Sequence, residues 1–170
     1  MTTITPWFER RFDFSTPVAL LPNLLTRLAG TPARLEDIVR AAAPAALTKQ
    51  NGRQWSAQEQ AGHLADLEPL WLARLRDYAA GREQLTVADL NNRKTDDARH
   101  DERAVKDILD ELRTARGILV REARGVDGAL LARTLPHPRL KTPMRLVDHL
   151  YFVAEHDDHH LAHIWGLLHE

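Results

Sequence analysis

Four stretches of the chain carry apolar residues three and four positions apart, the spacing that places them on one face of an α-helix. The first opens at Thr16-Pro17, a capping residue followed by proline at the first helical position, and runs through Leu20, Leu21, Leu24, Leu25 and Leu28. Gly30-Thr31-Pro32 interrupts it, and Leu35, Ile38 and Val39 resume the face up to Ala43-Pro44. This predicts one kinked helix or two consecutive ones. The second stretch opens on Ser56 with Glu59 three residues later, the capping-box spacing, and extends from Ala57 to about Ala80, where Gly81 stops it. Leu64, Leu67, Leu70, Trp71, Leu75 and Tyr78 supply its buried face, and Pro69 predicts a kink. The third runs from Asp101 to Arg124, with Val105, Ile108, Leu109, Leu112, Ile118 and Leu119 apolar and Gly125 beyond. The fourth is Met144 to Glu170, capped by Thr142 and opened by Pro143.

Between these stretches lie a connection over 44–55 with a turn signal at Asn51-Gly52, a polar one over 82–100, and a proline-rich one over 126–142. No segment alternates long enough to read as a strand. The pattern therefore predicts an all-α chain: a four-helix bundle of antiparallel helices with long connections, residues 1–170 forming one domain.

Composition narrows the function classes. With 170 residues, 44% hydrophobic and 28% charged, the chain can bury a sizeable core. A formal net charge of −1 and the lack of a basic stripe argue against a nucleic-acid or membrane-surface partner. There is no cysteine, which excludes a disulfide framework, thiolate metal ligands and a cysteine nucleophile. The N-terminus lacks the apolar core of a signal peptide, and no apolar run reaches the roughly 18 residues of a membrane helix, so the expected compartment is the cytoplasm. Trp7, Phe8, Phe12 and Phe14 crowd the first 16 residues. They read either as an arm packed on the bundle or, for Trp7 and Phe8, as the lining of a ligand pocket or partner interface.

The candidate chemistry is imidazole. Six of the nine histidines fall in the last stretch: His149, His156, His159, His160, His163 and His169. At about 100° per residue, His149, His156, His160 and His163 share one stripe beside the apolar flank of Leu146, Leu150, Ile164 and Leu168, while Asp148, Glu155, Asp158 and His159 point elsewhere. His156 and His160 are one turn apart, so their rings project side by side and can chelate one transition metal. His63, about two turns into the second helix, reads as a hydrogen-bonded core residue when taken alone, and as a third ligand in their company. Three neutral nitrogen ligands leave a position open, the arrangement of catalytic rather than structural sites. In the polar segment Asn91–Glu102, His100, Arg93 and Lys94 read as solvated loop residues or as groups that approach a ligand.

The segments W-S-A-Q-E-Q-A-G-H-L-A-D-L-E at 55–68 and H-D-D-H-H-L-A-H-I at 156–164 resemble the DinB superfamily, in particular its branch of metal-dependent hydrolases and bacillithiol-type S-transferases. The resemblance implies a divalent metal, zinc or nickel, bound by His63, His156 and His160. His163 stands where the family often has glutamine, and Asp66, Asp157 and His163 become candidates for orienting the ligand rings. The implied activity is transfer of a low-molecular-weight thiol, bacillithiol-like, to an electrophilic small molecule. The alternatives are a hydrolase that activates water on the metal and a non-enzymatic metal-binding stress-response protein. Arg74, on the face of His63, is a candidate for binding an anionic thiol. The resemblance also implies a homodimer. No catalytic side chain beyond the ligands is singled out.

Overall fold

A computed structural model describes residues 4–50, 52 and 54–169. Its helices are α1 (Leu21–Arg40), α2 (Pro44–Leu47), α3 (Ala57–Ala80), α4 (Arg93–Asp97), α5 (Val105–Arg124), α6 (Gly128–Ala132) and α7 (Leu146–His169). Two three-residue strands, β1 (Thr134–Pro136) and β2 (Pro143–Arg145), pair antiparallel with Leu135 opposite Met144. Asn51 of the expected Asn51-Gly52 turn, and Glu170, the expected end of the last helix, lie outside the described residues.

Local chemistry explains most boundaries. Ser56 accepts from the Glu59 amide at 3.0 Å and the Glu59 carboxylate accepts from the Ser56 amide at 2.8 Å, closing the capping box of α3. Gly81 ends that helix in the left-handed region at φ 64°. Both α1 and α3 continue through their internal prolines, Pro32 and Pro69. Three boundaries differ from the sequence reading. The first region begins with a tight turn at Val18–Leu20 before α1. A second tight turn at His100–Glu102 delays α5 to Val105 rather than Asp101. Finally α7 opens at Leu146, because Pro143–Arg145 is drawn into the ladder with β1.

The four long helices form the bundle, and hydrogen bonds between them fix their directions. Helix α3 runs alongside α5 in the same direction: Gln58 near its start bonds the carbonyls of His100 and Arg103, Glu68 meets Arg116 midway, and Arg76 meets Glu122 near both ends. Likewise α1 runs with α7, with Thr16 on Asp148 before Arg27 on Asp158. The antiparallel contacts are α3 with α7, where Gln60 reaches His160 and Tyr78 reaches the Met144 carbonyl, and α1 with α5, where Leu28 and Glu36 meet Arg116 and Arg113. The order is thus up, down, down, up. The expected antiparallel pairing holds at two of the four contacts, and the successive pairs α1/α3 and α5/α7 face each other across the diagonal.

The core is two apolar clusters separated by an ionic layer. One cluster holds Leu28, Trp71, Leu75, Leu119, Leu150 and Val153; the other holds Leu35, Leu64, Ile108, Leu112, Leu161 and Ile164. Between them, Arg116 of α5 binds Glu68 of α3 and Asp157 of α7, and its Nη1 donates to the Leu28 carbonyl of α1 at 3.1 Å. Thr31 of α1 donates to Asp157 at 2.7 Å. The Arg116 and Asp157 side chains are 1% and 0% exposed. Burial alone would lower the Arg116 pKa, but Asp157 and Glu68 hold it above the ordinary guanidinium value. Burial raises the Glu68 carboxyl, with Arg116 opposing. Asp148, expected to point outward, is also buried; it accepts from the Thr16 amide at 3.1 Å and Arg145 Nε at 2.7 Å.

Removing one partner of such a cluster leaves buried charge without compensation, a loss of about 3–5 kcal/mol. We predict that Arg116→Met destabilises the protein by about that amount in urea unfolding. A loss below about 1 kcal/mol would show that the layer is not a structural centre.

Candidate metal centre

Helices α3 and α7 bring His63, His156 and His160 together, with one ligand atom of each within 4.8 Å of the others and all three buried. Ring centroids stand 4.4 Å apart for His156–His160, 4.7 Å for His63–His160 and 5.4 Å for His63–His156.

Hydrogen bonds assign the ring nitrogens. Thr95 Oγ1 donates its single proton to Asp66 Oδ2 at 3.0 Å, so it accepts from His63 Nδ1 at 3.0 Å. That leaves His63 Nε2 as a lone pair. His160 Nδ1 donates to Gln60 Oε1 at 2.5 Å, leaving its Nε2 free, 3.1 Å from His156 Nε2. Two nitrogens on one tetrahedral zinc at about 2.0–2.1 Å lie about 3.3 Å apart, so the pair is spaced for a shared cation. His156 Nδ1 is buried without a hydrogen-bond partner, with the Trp7 and Trp71 rings 5.0 and 5.4 Å away. Burial lowers the pKa of all three imidazoles, His63 to about 4 and the other two well below 6.5, and so keeps them in the neutral form that a metal requires. The donor set fits a divalent metal that accepts nitrogen, with a side open to the cavity.

The other sequence candidates divide. Asp66 serves His63 indirectly, through Thr95, and accepts from His100 Nε2 at 2.8 Å and from Lys94. Asp157 does not orient a ring: it faces Arg116 and Thr31, on another side of α7 from the histidines. His149 is fully buried against Trp71 and Tyr78, outside the triad. His163 stacks edge-on against His159 at 4.6 Å rather than joining the site, and His159, expected to point away from the core edge, is buried beside Trp7. His100 is not a solvated loop residue. Its ring packs onto Gly62, where a Cβ would come within 2.3 Å of it. Gln60 and Thr95 escaped the sequence reading. Gln60 precedes His63 by three residues on one helix face, a local signal; Thr95 had none. Gly62 inside a helix carried its own signal, since an interior helix glycine costs stability relative to alanine.

The triad opens onto a cavity of about 400 Å³. Its walls include Trp7, Trp55, Trp71 and Phe152, while Arg74, His137 and Arg139 line it as well. The aromatic arm is thus both packing and pocket: Trp7 rests 5.0 Å from Phe152 and 5.1 Å from Phe12, and Phe8 lies at the mouth with 59% of its surface exposed.

A four-helix bundle carrying a buried histidine triad on α3 and α7 defines the class. The DinB superfamily profile matches residues 27–164, and the chain belongs to that superfamily. No curated protein matches the sequence. Among solved structures, the chain is similar to YfiT from Bacillus subtilis, described as a probable metal-dependent hydrolase with an unusual four-helix bundle topology: 20% identity, TM-score 0.82, 94% of this chain and 91% of that one. It is also similar to a mycothiol-dependent maleylpyruvate isomerase, at 11% identity and TM-score 0.69, covering 89% of this chain and 62% of that one. At these identities the likeness establishes the fold. No helix among the described residues is long and apolar enough to cross a membrane.

Two predictions follow from this geometry. Gly62→Ala should push His100 off α3, break the chain from His100 through Asp66 and Thr95 to His63, and weaken zinc binding about 10–100-fold in chelator competition. Unchanged affinity would detach that chain from the site. His149 lies far below its unfolded pKa in the folded state, mainly through burial. The unfolded state therefore binds the extra proton first, and the stability is present above about pH 6.5 and lost as pH falls. Between pH 7 and 5.5, unfolding free energy should fall by about 1 kcal/mol more in wild type than in His149→Leu, read by urea titration. Equal pH slopes would contradict it.

Proposed function

We propose that the protein is a metal-dependent enzyme that transfers a low-molecular-weight thiol to an electrophilic small molecule, with His63, His156 and His160 as the ligands of one divalent ion, zinc or nickel. His63, His156 and His160 would hold the ion, and its chemistry when bound would be to lower the pKa of a thiol or water toward neutral. The observation that carries the choice between the two is the lack of a free carboxylate among the described residues of the cavity. Among the described residues lining the cavity, the one carboxylate is Asp89, at the rim and already bonded to the Asn91 and Arg93 amides. Asp66 is turned away from the cavity and engaged by Thr95, His100 and Lys94. Attack by water calls for a general base, whereas a thiol loses its proton far more readily and arrives as the nucleophile that this cysteine-free chain lacks. The protein's part is positioning: Thr95 and Gln60 hold two imidazoles with Nε2 forward, and Trp7, Trp55 and Trp71 wall the cavity beside them. The likeness to a mycothiol-dependent isomerase supports a thiol cosubstrate, and the likeness to YfiT supports metal dependence.

The test is metal analysis followed by turnover of bacillithiol, mycothiol and simpler thiols with a generic electrophile. His156→Ala should lose stoichiometric metal and at least about 100-fold of the turnover while keeping its helix content. Metal-dependent cleavage of an amide or ester, with no thiol turned over, would establish the hydrolase instead. If neither reaction occurs with the site filled, the protein is a non-enzymatic metal binder.

A further inference from the structure

The cavity holds cationic groups that the metal-dependent reading does not use. Arg74 of α3, 2% exposed, donates from Nε to the Thr86 carbonyl at 2.9 Å. Its Nη1 lies 3.1 Å from His137 Nε2. His137 Nδ1 accepts from the amides of Leu140 at 3.1 Å and Arg139 at 3.3 Å, so in the neutral ring the proton sits on Nε2. Arg74 Nη1 and His137 Nε2 are then two donors facing each other with no acceptor between them. Arg139 Nη2 is buried and has no hydrogen-bond partner. Neither arginine is paired with a carboxylate among the described residues, whereas Arg76 and Arg145 each are. Uncompensated donors this deep are costly unless something supplies the acceptor.

We propose that Arg74, His137 and Arg139 form a carboxylate-binding subsite, and that one substrate of the enzyme is a carboxylic acid. This rests on the metal-dependent reading for the reacting end of the cavity, and on these residues alone for the other end. A carboxylate presents two oxygens with about four lone-pair positions, which matches a guanidinium fork, an imidazole N–H and the free Arg139 Nη2. Trp71 spans the two ends: its ring centroid is 5.6 Å from Arg74 Cζ and 5.4 Å from the His156 ring. A planar acid lying on Trp71 therefore points its carboxylate at the arginines and its far carbon at the histidines. The carboxylate can belong to the electrophile or to the thiol.

Zinc-loaded full-length protein is titrated with two matched pairs, cinnamate with cinnamamide and 3-mercaptopropionate with 3-mercaptopropionamide. Each pair differs in charge at one end. Binding is read by quenching of tryptophan emission and by calorimetry. At least one acid should bind about tenfold or more tightly than its amide, the yield of charge-assisted hydrogen bonds. Arg139→Gln should remove that preference without weakening the amide, and Arg139→Lys should restore part of it. Preference in the cinnamate pair assigns the subsite to the electrophile; preference in the other pair assigns it to the thiol. Equal binding of acid and amide in both pairs, or a preference untouched by Arg139→Gln, overturns the subsite. The same titration in metal-free His156→Ala separates the two readings. The preference should persist there. A preference that vanishes with the metal yet survives Arg139→Gln puts the carboxylate on the metal, overturning the subsite and leaving thiol transfer standing. An intact Arg139-dependent preference without thiol turnover supports the subsite and ends only the transfer reading.

Discussion

The bundle depends on one buried guanidinium. Arg116 reaches all three of the other long helices at once: Glu68 on α3, Asp157 on α7 and the Leu28 carbonyl on α1. An apolar layer at this level would tolerate rotation of α7 by a fraction of a turn, because side-chain packing accepts many near-equivalent fits. An ion pair in low dielectric does not, since its energy falls steeply once a hydrogen bond is lost. Asp157 is adjacent in sequence to His156, about 100° away around the helix. Holding Asp157 toward Arg116 therefore turns His156 and His160 toward α3. The layer is weak evidence for stability as such. Its service to the site is rotational: it sets the phase of the helix that carries two of the three histidines.

The chain order then shapes the site. Because α3 and α5 are parallel neighbours, the segment between them must return the full length of the bundle. Parallel neighbours cannot be joined by a tight turn, so the long polar connection is a requirement of the topology rather than an ornament. It passes the open side of the triad and carries Thr95 and His100 to Asp66, and Val87, Asp89 and Leu90 to the cavity rim. Arg99 is held at φ 50°, in the left-handed region that a non-glycine side chain resists, just before His100 turns inward. That local cost is met by the burial and hydrogen bonding of the next residue.

The parts that were legible in the sequence are those set by neighbours along the chain. The ends of α3 follow from Ser56, Glu59 and Gly81, and the His156–His160 pair follows from one turn of helix. The unreadable parts depend on partners far away. Thr95 meets His63 across 32 residues and His100 meets Asp66 across 34, and polar residues in a connection look the same whether solvated or buried. β1 and β2 are three residues each, too short for alternation to register. Asp157 is a candidate by its adjacency to a ligand histidine, but helix geometry sends the adjacent side chain to Arg116 and Thr31 instead. His149 shares the stripe of the triad, but it lies seven residues, about two turns, from His156. There α7 meets Trp71 and Tyr78 instead of His63.

The distribution of charge around the cavity carries the synthesis one step further. Asp66 lies behind His63 through Thr95, and Glu68 and Asp157 lie in the ionic layer next to α7, while Asp89 stands at the cavity rim and Asp96 bonds Trp55 of its wall. The cavity side presents neutral imidazoles at one end and unpaired guanidinium groups at the other. A divalent ion held by the histidines would add positive charge at one end of a cavity that carries guanidinium groups at the other. A neutral ligand gains little from such a field. An anionic one is drawn in, and a thiol that must be deprotonated is favoured in its charged form. Among the described residues of the lining, the one carboxylate stands at the rim, and a carboxylate facing the triad would itself compete for a cation held there or for the arginines.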